Sequence, residues 1–337
     1  MKNKLIMVLL FALADILAAQ TKITENKDAF GLVVHGGAGY IYKGRYTNEE
    51  ESAYKNKLQE AIDTGYAVLS RNGSALNAVE KTIHILEDSP LFNAGKGAVM
   101  TSEETVELDA AIMDGSNLKA GAVAGIKHIK SPISLARTVM EKSPHVFMIG
   151  EGAEKFGLDN GMEKVENSYF YTEKTLEEIR KIKEEEKKRD QSYIYKDENK
   201  YGTVGCAALD KHGNLAAGTS TGGMVNKKFG RVGDVPVIGA GTYANNFTAA
   251  MSCTGHGEFF IRNVVAHDIS SLIQYKGMKL NDAAKEVIME KLLKQNGRGG
   301  VIGIDAQGNI TMVFNTDGMF RGYKLNNGKS FVGMYKE

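Results

Sequence analysis

Only four prolines and two cysteines occur among 337 residues, and each scarcity excludes something. Two thiols cannot build the disulfide framework of a small secreted scaffold. Cys206 and Cys253 lie in apolar, strand-like stretches and read as buried small side chains, with a single bridge between them as the lesser alternative. Few prolines and a 42% apolar content describe a compact globular chain rather than a disordered one. An excess of either charge is also missing: 42 Lys and Arg face 41 Asp and Glu, for a net charge of +1. That removes the usual attraction for nucleic acid or an anionic membrane. The seven histidines never form His-x-x-x-His and no Cys-x-x-Cys is present, so no side-chain metal site is legible and no catalytic cofactor is expected. His35-Gly36-Gly37-Ala38-Gly39 is not the Gly-x-Gly-x-x-Gly of a dinucleotide site. A small-molecule partner remains.

The N-terminus reads as an address. Lys2 and Lys4 precede the apolar run Leu5 to Leu13, with small residues at Ala12, Ala14, Ala18 and Ala19. This is the pattern of a secretory signal, residues 1–19, too short and too polar after Asp15 for a membrane span. Export to the periplasm or medium is the expectation. From Phe30 onward short apolar runs alternate with helical periodicity. Helices are predicted over 55–69, 75–86 with Ser74 as N-cap, 131–140, 258–274 and 281–294. Strands are predicted over 30–34, 106–113, 119–126, 145–149, 204–209, 215–220, 237–243, 249–253, 301–304, 310–314 and 319–325. Residues 166–202 differ in being crowded with Glu, Lys and Arg, and read as a solvated linker without an apolar stripe wide enough to anchor a helix. Two sheets packed face to face with helices outside, shared by residues 20–202 and 203–337, are the expected architecture.

Gly202-Thr203-Val204-Gly205 is the informative junction. A threonine that follows a small residue and opens an apolar strand is a candidate nucleophile, yet its hydroxyl needs a base. No histidine or lysine stands at a local spacing that supplies one. Hydrolysis of the Gly202–Thr203 bond would give Thr203 its own α-amine, which titrates near pH ~8. Downstream, Thr219-Ser220-Thr221-Gly222-Gly223 places a second hydroxyl beside glycines that let backbone approach a ligand. In Gly230-Arg231-Val232-Gly233-Asp234 a guanidinium and a carboxylate suit the two charges of an amino acid. In isolation that pair is an ordinary loop salt bridge. Cys253-Thr254-Gly255-His256-Gly257-Glu258 ends a strand and opens a helix, so the Thr254 hydroxyl and Gly255 N–H can form an oxyanion hole. His256 is assigned a flanking place and Glu258 a capping one.

Together with Leu91-Phe92-Asn93-Ala94-Gly95-Lys96-Gly97 and Phe314-Asn315-Thr316, these strings resemble the plant-type (type 2) L-asparaginase and isoaspartyl peptidase family of N-terminal-nucleophile hydrolases. The resemblance implies a four-layer αββα sandwich, self-cleavage between Gly202 and Thr203, and a homodimer of cleaved protomers. It implies Thr203 as nucleophile, Thr221 as its hydroxyl neighbour, and Asn93 as a residue that helps order it. Arg231 and Asp234 would hold the substrate's charges, with Gly257 beside them, and Thr254 and Gly255 would form the oxyanion hole. A structural sodium is implied on the backbone carbonyls of Leu86, Glu87, Ser89, Phe92, Ala94 and Lys96. The implied substrates are β-aspartyl dipeptides and asparagine. Glycosylasparaginases look similar at Arg231 to Asp234, but Gly202 before the threonine and Gly222-Gly223-Met224 favour the isoaspartyl side. An exported amino-acid-binding protein without chemistry is the alternative of another class.

Overall fold

The computed structural model describes residues 29–188 and 202–336. The signal segment 1–19 and residues 189–201 of the charged stretch lie outside the described residues. β1 (Gly31–Gly39) is followed by α1 (Asn48–Ser70) and α2 (Ala75–Glu87). Thr47 opens α1 with a capping box, since its hydroxyl accepts from Glu50 N while the Glu50 carboxylate takes the Thr47 N–H. Ser74 caps α2 as expected. Next come β2 (Leu108–Asp114), β3 (Ala120–Ile126), α3 (Pro132–Lys142), β4 (Phe147–Ile149), α4 (Gly150–Asp159) and α5 (Glu173–Lys188). The second half contains β5 (Val204–Leu209), β6 (Leu215–Thr221), β7 (Thr242–Ala244), β8 (Ala249–Gly255), α6 (Gly257–Asn263), α7 (Val265–Lys276), α8 (Leu280–Lys285), β9 (Gly299–Asp305), β10 (Ile310–Phe314), β11 (Gly318–Leu325) and β12 (Ser330–Tyr335). Among the described residues no helix is long and apolar enough to cross a membrane.

The strands form two sheets. One has the order β12-β11-β1-β5-β6-β2-β3-β4, the other β10-β9-β8-β7, and every pairing but β3 with β4 is antiparallel. The period of two along each strand sorts its side chains between layers. On β5, Val204, Cys206 and Ala208 join Leu58, Ile62, Val79 and Ile83 in the core beneath α1 and α2. Ala207 and Leu209 turn the other way, toward Ala250, Ile302 and Ile304 of the second sheet. On β8, Met251 and Cys253 face away from the first sheet and pack with Ile269, Val287 and Ile288 of the helices beyond. Helix, sheet, sheet and helix thus stack in the expected αββα order, and Thr203 stands at the head of a central strand.

Several boundaries differ from the sequence reading. Residues 166–188 are folded, not linker: Thr172 and Thr175 cap each other's backbone at the start of α5, and Thr175 and Ile179 are buried one turn apart. That stripe is narrow, and ion pairs supplement it, Lys183 with Glu104 and Glu186 with Lys228. The 237–243 strand shrinks to β7, because Val237 N and Gly241 N both bond the Asp234 carbonyl and curl the segment into turns. The single helix expected over 258–274 breaks at Val264, whose φ is +49°, into α6 and α7. The 281–294 helix begins at Leu280 as α8 and widens to π geometry over Glu286–Lys291. α4 and β12 had no sequence counterpart. Both cysteines are unpaired and buried, and burial pushes the Cys206 thiol pKa up to about 12, as for the small core side chains anticipated.

Candidate active site

The polar side chains lie on one face of the strands, between the two sheets. His35 of β1, Thr203 before β5, Thr219 and Thr221 of β6, Thr242 of β7, and Ser252 and Thr254 of β8 are all buried there. The same alternation that directs Ala207 and Leu209 inward directs these hydroxyls inward. Buried hydroxyls are costly unless bonded, and here they bond one another.

Three donors converge on the Gly202 carbonyl oxygen: Asn93 Nδ2 at 2.8 Å, Thr203 Oγ1 at 2.8 Å and Thr221 Oγ1 at 2.9 Å. Thr203 Oγ1 lies 3.2 Å from Thr221 Oγ1, which also accepts from Gly223 N at 2.9 Å. The Asn93 amide is fully used. Its Oδ1 accepts from Val99 N at 2.9 Å and its Nδ2 also donates to the Gly223 carbonyl at 2.8 Å, so its orientation is dictated by its neighbours. The structure therefore brings Asn93, Gly202, Thr203 and Thr221 together at the expected junction.

Beneath them runs a relay that the sequence reading did not anticipate. His35 Nδ1 is 2.9 Å from the Thr203 carbonyl and Nε2 is 2.8 Å from Ser252 Oγ. A carbonyl only accepts, so Nδ1 carries the proton and Nε2 accepts from Ser252. Ser252 Oγ is 2.7 Å from Thr219 Oγ1, and Thr242 Oγ1 donates to Thr219 Oγ1 at 2.7 Å. Gly205 makes room for this relay, because a Cβ there would collide with Ser252 Oγ and His35 Nε2. The only sequence signal was a histidine at a strand end ahead of paired glycines.

Burial drives the His35 pKa down to about 3 from its ordinary 6.5, with the hydrogen bond to the Thr203 carbonyl opposing it. A depressed histidine pKa means that the unfolded chain takes up protons first. Its stabilising contribution is whole above pH 6.5 and is lost as pH falls toward 3. Between pH 7 and 5 that loss is about 2 kcal/mol. Glu87 and Asp234, both raised to about 7 by burial, act in the opposite sense, gaining stability as pH falls below 7. The comparison must therefore be with His35→Gln. The gap in unfolding free energy between parent and variant should narrow by about 2 kcal/mol from pH 7 to pH 5, measured by urea titration; a gap independent of pH would refute it.

Arg231 and Asp234 lie together beside Gly257, where an added Cβ would sit 2.9 Å from Arg231 Nη2 and 3.0 Å from Asp234 Oδ1. Arg231 departs from the sequence reading. Its Nε and Nη2 donate to the two Glu258 oxygens, each at 2.9 Å, so Glu258 is its bidentate partner rather than a helix cap. Burial works against the Arg231 charge, but Glu258 outweighs it and holds the pKa above its ordinary value. Nη1 remains directed toward Gly223 and Gly233. Asp234 is fully buried, and its Oδ2 has no hydrogen-bond partner among the described residues.

Thr254 Oγ1 accepts from Ala38 N at 3.3 Å, which uses a lone pair and leaves its proton available to a ligand. Gly255 has φ +150°, and a side chain there would strike the Arg298 carbonyl. His256 flanks the site, as expected: its N–H bonds Arg298 O at 2.8 Å and its ring packs on Phe259. Glu87 matters through its side chain as well as its carbonyl, since it accepts from Ser131 Oγ, Ile133 N and Ser220 Oγ and ties α2 and α3 to the residue before Thr221. Among the six carbonyls considered for sodium, Leu86 O accepts from Ser89 N and Glu87 O from Lys96 N. These bonds fold the loop 86–96 into a closed ring whose other carbonyls keep oxygen donors of the hard type sodium takes. Among the described residues no cluster of His, Cys, Asp or Glu side chains could hold a metal ion.

Two apposed sheets with outer helices and a buried threonine heading a central strand define an N-terminal-nucleophile hydrolase sandwich. The chain belongs to the asparaginase family, whose sequence pattern matches residues 28–334. It is 49% identical over 308 residues to the isoaspartyl peptidase of Escherichia coli, covering 91% of this chain and 96% of that one. It is also 43% identical over 302 residues to the plant-type L-asparaginase of Pyrococcus horikoshii, covering 87% and 95% of the two chains. A probable isoaspartyl peptidase/L-asparaginase of Arabidopsis thaliana is 40% identical over 331 residues, covering 91% of this chain and 99% of its own.

Proposed function

We propose that the protein is a self-cleaving amidohydrolase that releases N-terminal β-aspartyl residues from dipeptides and hydrolyses asparagine to aspartate and ammonia. The observation that carries this reading is the Gly202 carbonyl under three donors with the Thr203 hydroxyl beside it. In the precursor, Thr203 Oγ attacks the Gly202 carbonyl carbon and its proton passes toward Thr221. Asn93 Nδ2 and the Thr221 hydroxyl stabilise the oxyanion, the C–N bond breaks as the Thr203 nitrogen is protonated, and water opens the resulting ester.

The freed amine then serves as base to the same hydroxyl. A substrate enters with its α-ammonium at Asp234 and its α-carboxylate on the Nη1 side of Arg231, Glu258 keeping the opposite side. Thr254 and Gly255 receive the oxyanion, the amine leaves, and water hydrolyses the acyl-enzyme. Both charges of the aspartyl end are read, which restricts substrates to a free aspartyl terminus.

The loop 86–96 would hold a sodium ion through its carbonyls. The ion would stiffen the loop that carries Asn93 and take no part in proton transfer. A lower thermal midpoint in tetramethylammonium chloride than in sodium chloride checks this. A homodimer of cleaved protomers completes the proposal. The central test is denaturing electrophoresis with N-terminal sequencing, alongside aspartate release from β-aspartyl dipeptides, asparagine and N-glycosylated asparagine. Two fragments, the smaller beginning Thr-Val-Gly-Cys, are expected. A single band with full activity would defeat the mechanism, and turnover confined to the glycosylated substrate would favour the glycosylasparaginase reading.

A further inference from the structure

A cavity of about 290 Å³ opens beside the nucleophile, lined among others by Gly37, Asn93, Gly202, Gly255 and Arg298. Arg231, Asp234 and Gly257 do not line it. Gly255 of the oxyanion position is a wall of the cavity, whereas the two charged groups stand outside it. Once the aspartyl end occupies Arg231 and Asp234, whatever is attached beyond the scissile amide has this space in front of it. The volume suits one amino acid, and Phe92 and Phe320 give it an apolar floor.

Arg298 is anchored at the rim of this cavity. Its carbonyl accepts from His256 N at 2.8 Å, and Gly299 pairs with Gly255 across β8 and β9. Asn315 clamps the backbone on both sides: its Oδ1 accepts from Gly299 N at 2.8 Å, its Nδ2 donates to the Gly297 carbonyl at 3.0 Å, and its N–H bonds Gly299 O at 2.9 Å. Phe314-Asn315-Thr316 thereby gains a purpose that the chemistry at Thr203 left unassigned. The other cations of the cavity are engaged, Lys174 with the Tyr54 hydroxyl at 3.4 Å and Arg45 over the rings of Tyr42 and Tyr46. The exposed Arg298 guanidinium has no hydrogen bond, ion pair or ring contact among the described residues. Of the carboxylates that line the cavity, Glu50 is taken by the α1 cap, while Glu178 and Asp317 also line it and disfavour acidic leaving groups.

Resting on the reading above, we propose that this cavity is the leaving-group subsite and that Arg298 reads the α-carboxylate of the departing amino acid. Arginine suits a carboxylate because its donors match both oxygens. Asparagine, which releases only ammonia, has no group to place there.

The test uses the cleaved enzyme, its Arg298→Ala and Arg298→Lys variants, and three substrates: β-aspartyl-leucine, its C-terminal amide, and asparagine. For Arg298→Ala the loss of kcat/KM on the free-acid dipeptide should exceed the loss on asparagine by about tenfold, expressed mainly in KM. The parent should prefer the free acid to the amide by a similar factor, that preference should vanish in Arg298→Ala, and Arg298→Lys should restore part of it. Equal losses on all three substrates, or a parent indifferent to amidation, would overturn the subsite. Failure of the parent on both asparagine and the dipeptide would instead remove the underlying functional reading, and this inference with it.

Discussion

Thr203→Ala should run as one full-length band on a denaturing gel on which the parent runs as two fragments, and should show no turnover above background. The alanine removes Thr203 Oγ1, the one atom that attacks the Gly202 carbonyl and later carries the acyl group, so cleavage and catalysis fail together. A loss of at least about 10⁴ in kcat is expected for a missing nucleophile. The substitution removes one hydroxyl and one methyl from a site already held by Asn93, Thr221 and His35, so the variant should still fold. Thr203→Ser should retain both reactions at reduced rate. Robust hydrolysis by the alanine variant, cut or uncut, would assign the chemistry to another group.

A second large effect is expected at Asp234. Its carboxyl is fully buried, its Oδ2 has no hydrogen-bond partner among the described residues, and burial raises its pKa to about 7 although Arg231 opposes the shift. An acid with a raised folded pKa stabilises the protein below its ordinary pKa and loses that contribution as pH rises to 7. At pH 8 the cost of the buried carboxylate is present and only partly offset by its backbone hydrogen bond and by Arg231; an arriving ammonium would offset it further. Asp234→Asn should therefore lower kcat/KM by roughly a hundredfold or more while raising unfolding free energy at pH 8 by ~1 to 3 kcal/mol. A variant that is less stable at pH 8 and fully active would show that the carboxylate is structural. Opposite movement of stability and activity is the usual signature of a binding group held in a poor ground state.

The junction was legible because its signals are local. A glycine, a threonine and an apolar strand follow one another, and the glycine-flanked strings downstream carry side chains whose chemistry is plain from their type. The αββα layering was legible through periodicity, with β5, β6, β10 and the α2 cap nearly where the pattern put them. What was missed depends on partners far along the chain. His35 meets Ser252 across 217 positions, and neither residue announces a relay. Glu258 looked like a helix cap because it stands near a helix start, yet Arg231 comes back from an earlier loop to claim it. α5 was read as linker because Ile179 and Thr175 are too few to signal a buried face; charge pairs with Glu104 and Lys228, distant in sequence, supply the rest. β12 pairs only at the sheet's outer edge, and α4 is too short and glycine-rich for a strong helical period.

The strand order β12-β11-β1-β5-β6-β2-β3-β4 interleaves the two sides of the Gly202–Thr203 bond. β1 is flanked by β11 and β5, both from beyond the junction, while β5 and β6 separate β1 from β2. Neither fragment alone can assemble the eight-stranded sheet. The donors around the Gly202 carbonyl come from both sides of the junction, Asn93 from one and Thr221 from the other, so the proposed scission can begin only after the sheet has closed. Under the proposed mechanism, cutting then reports completed folding, and a misassembled chain stays whole and inert.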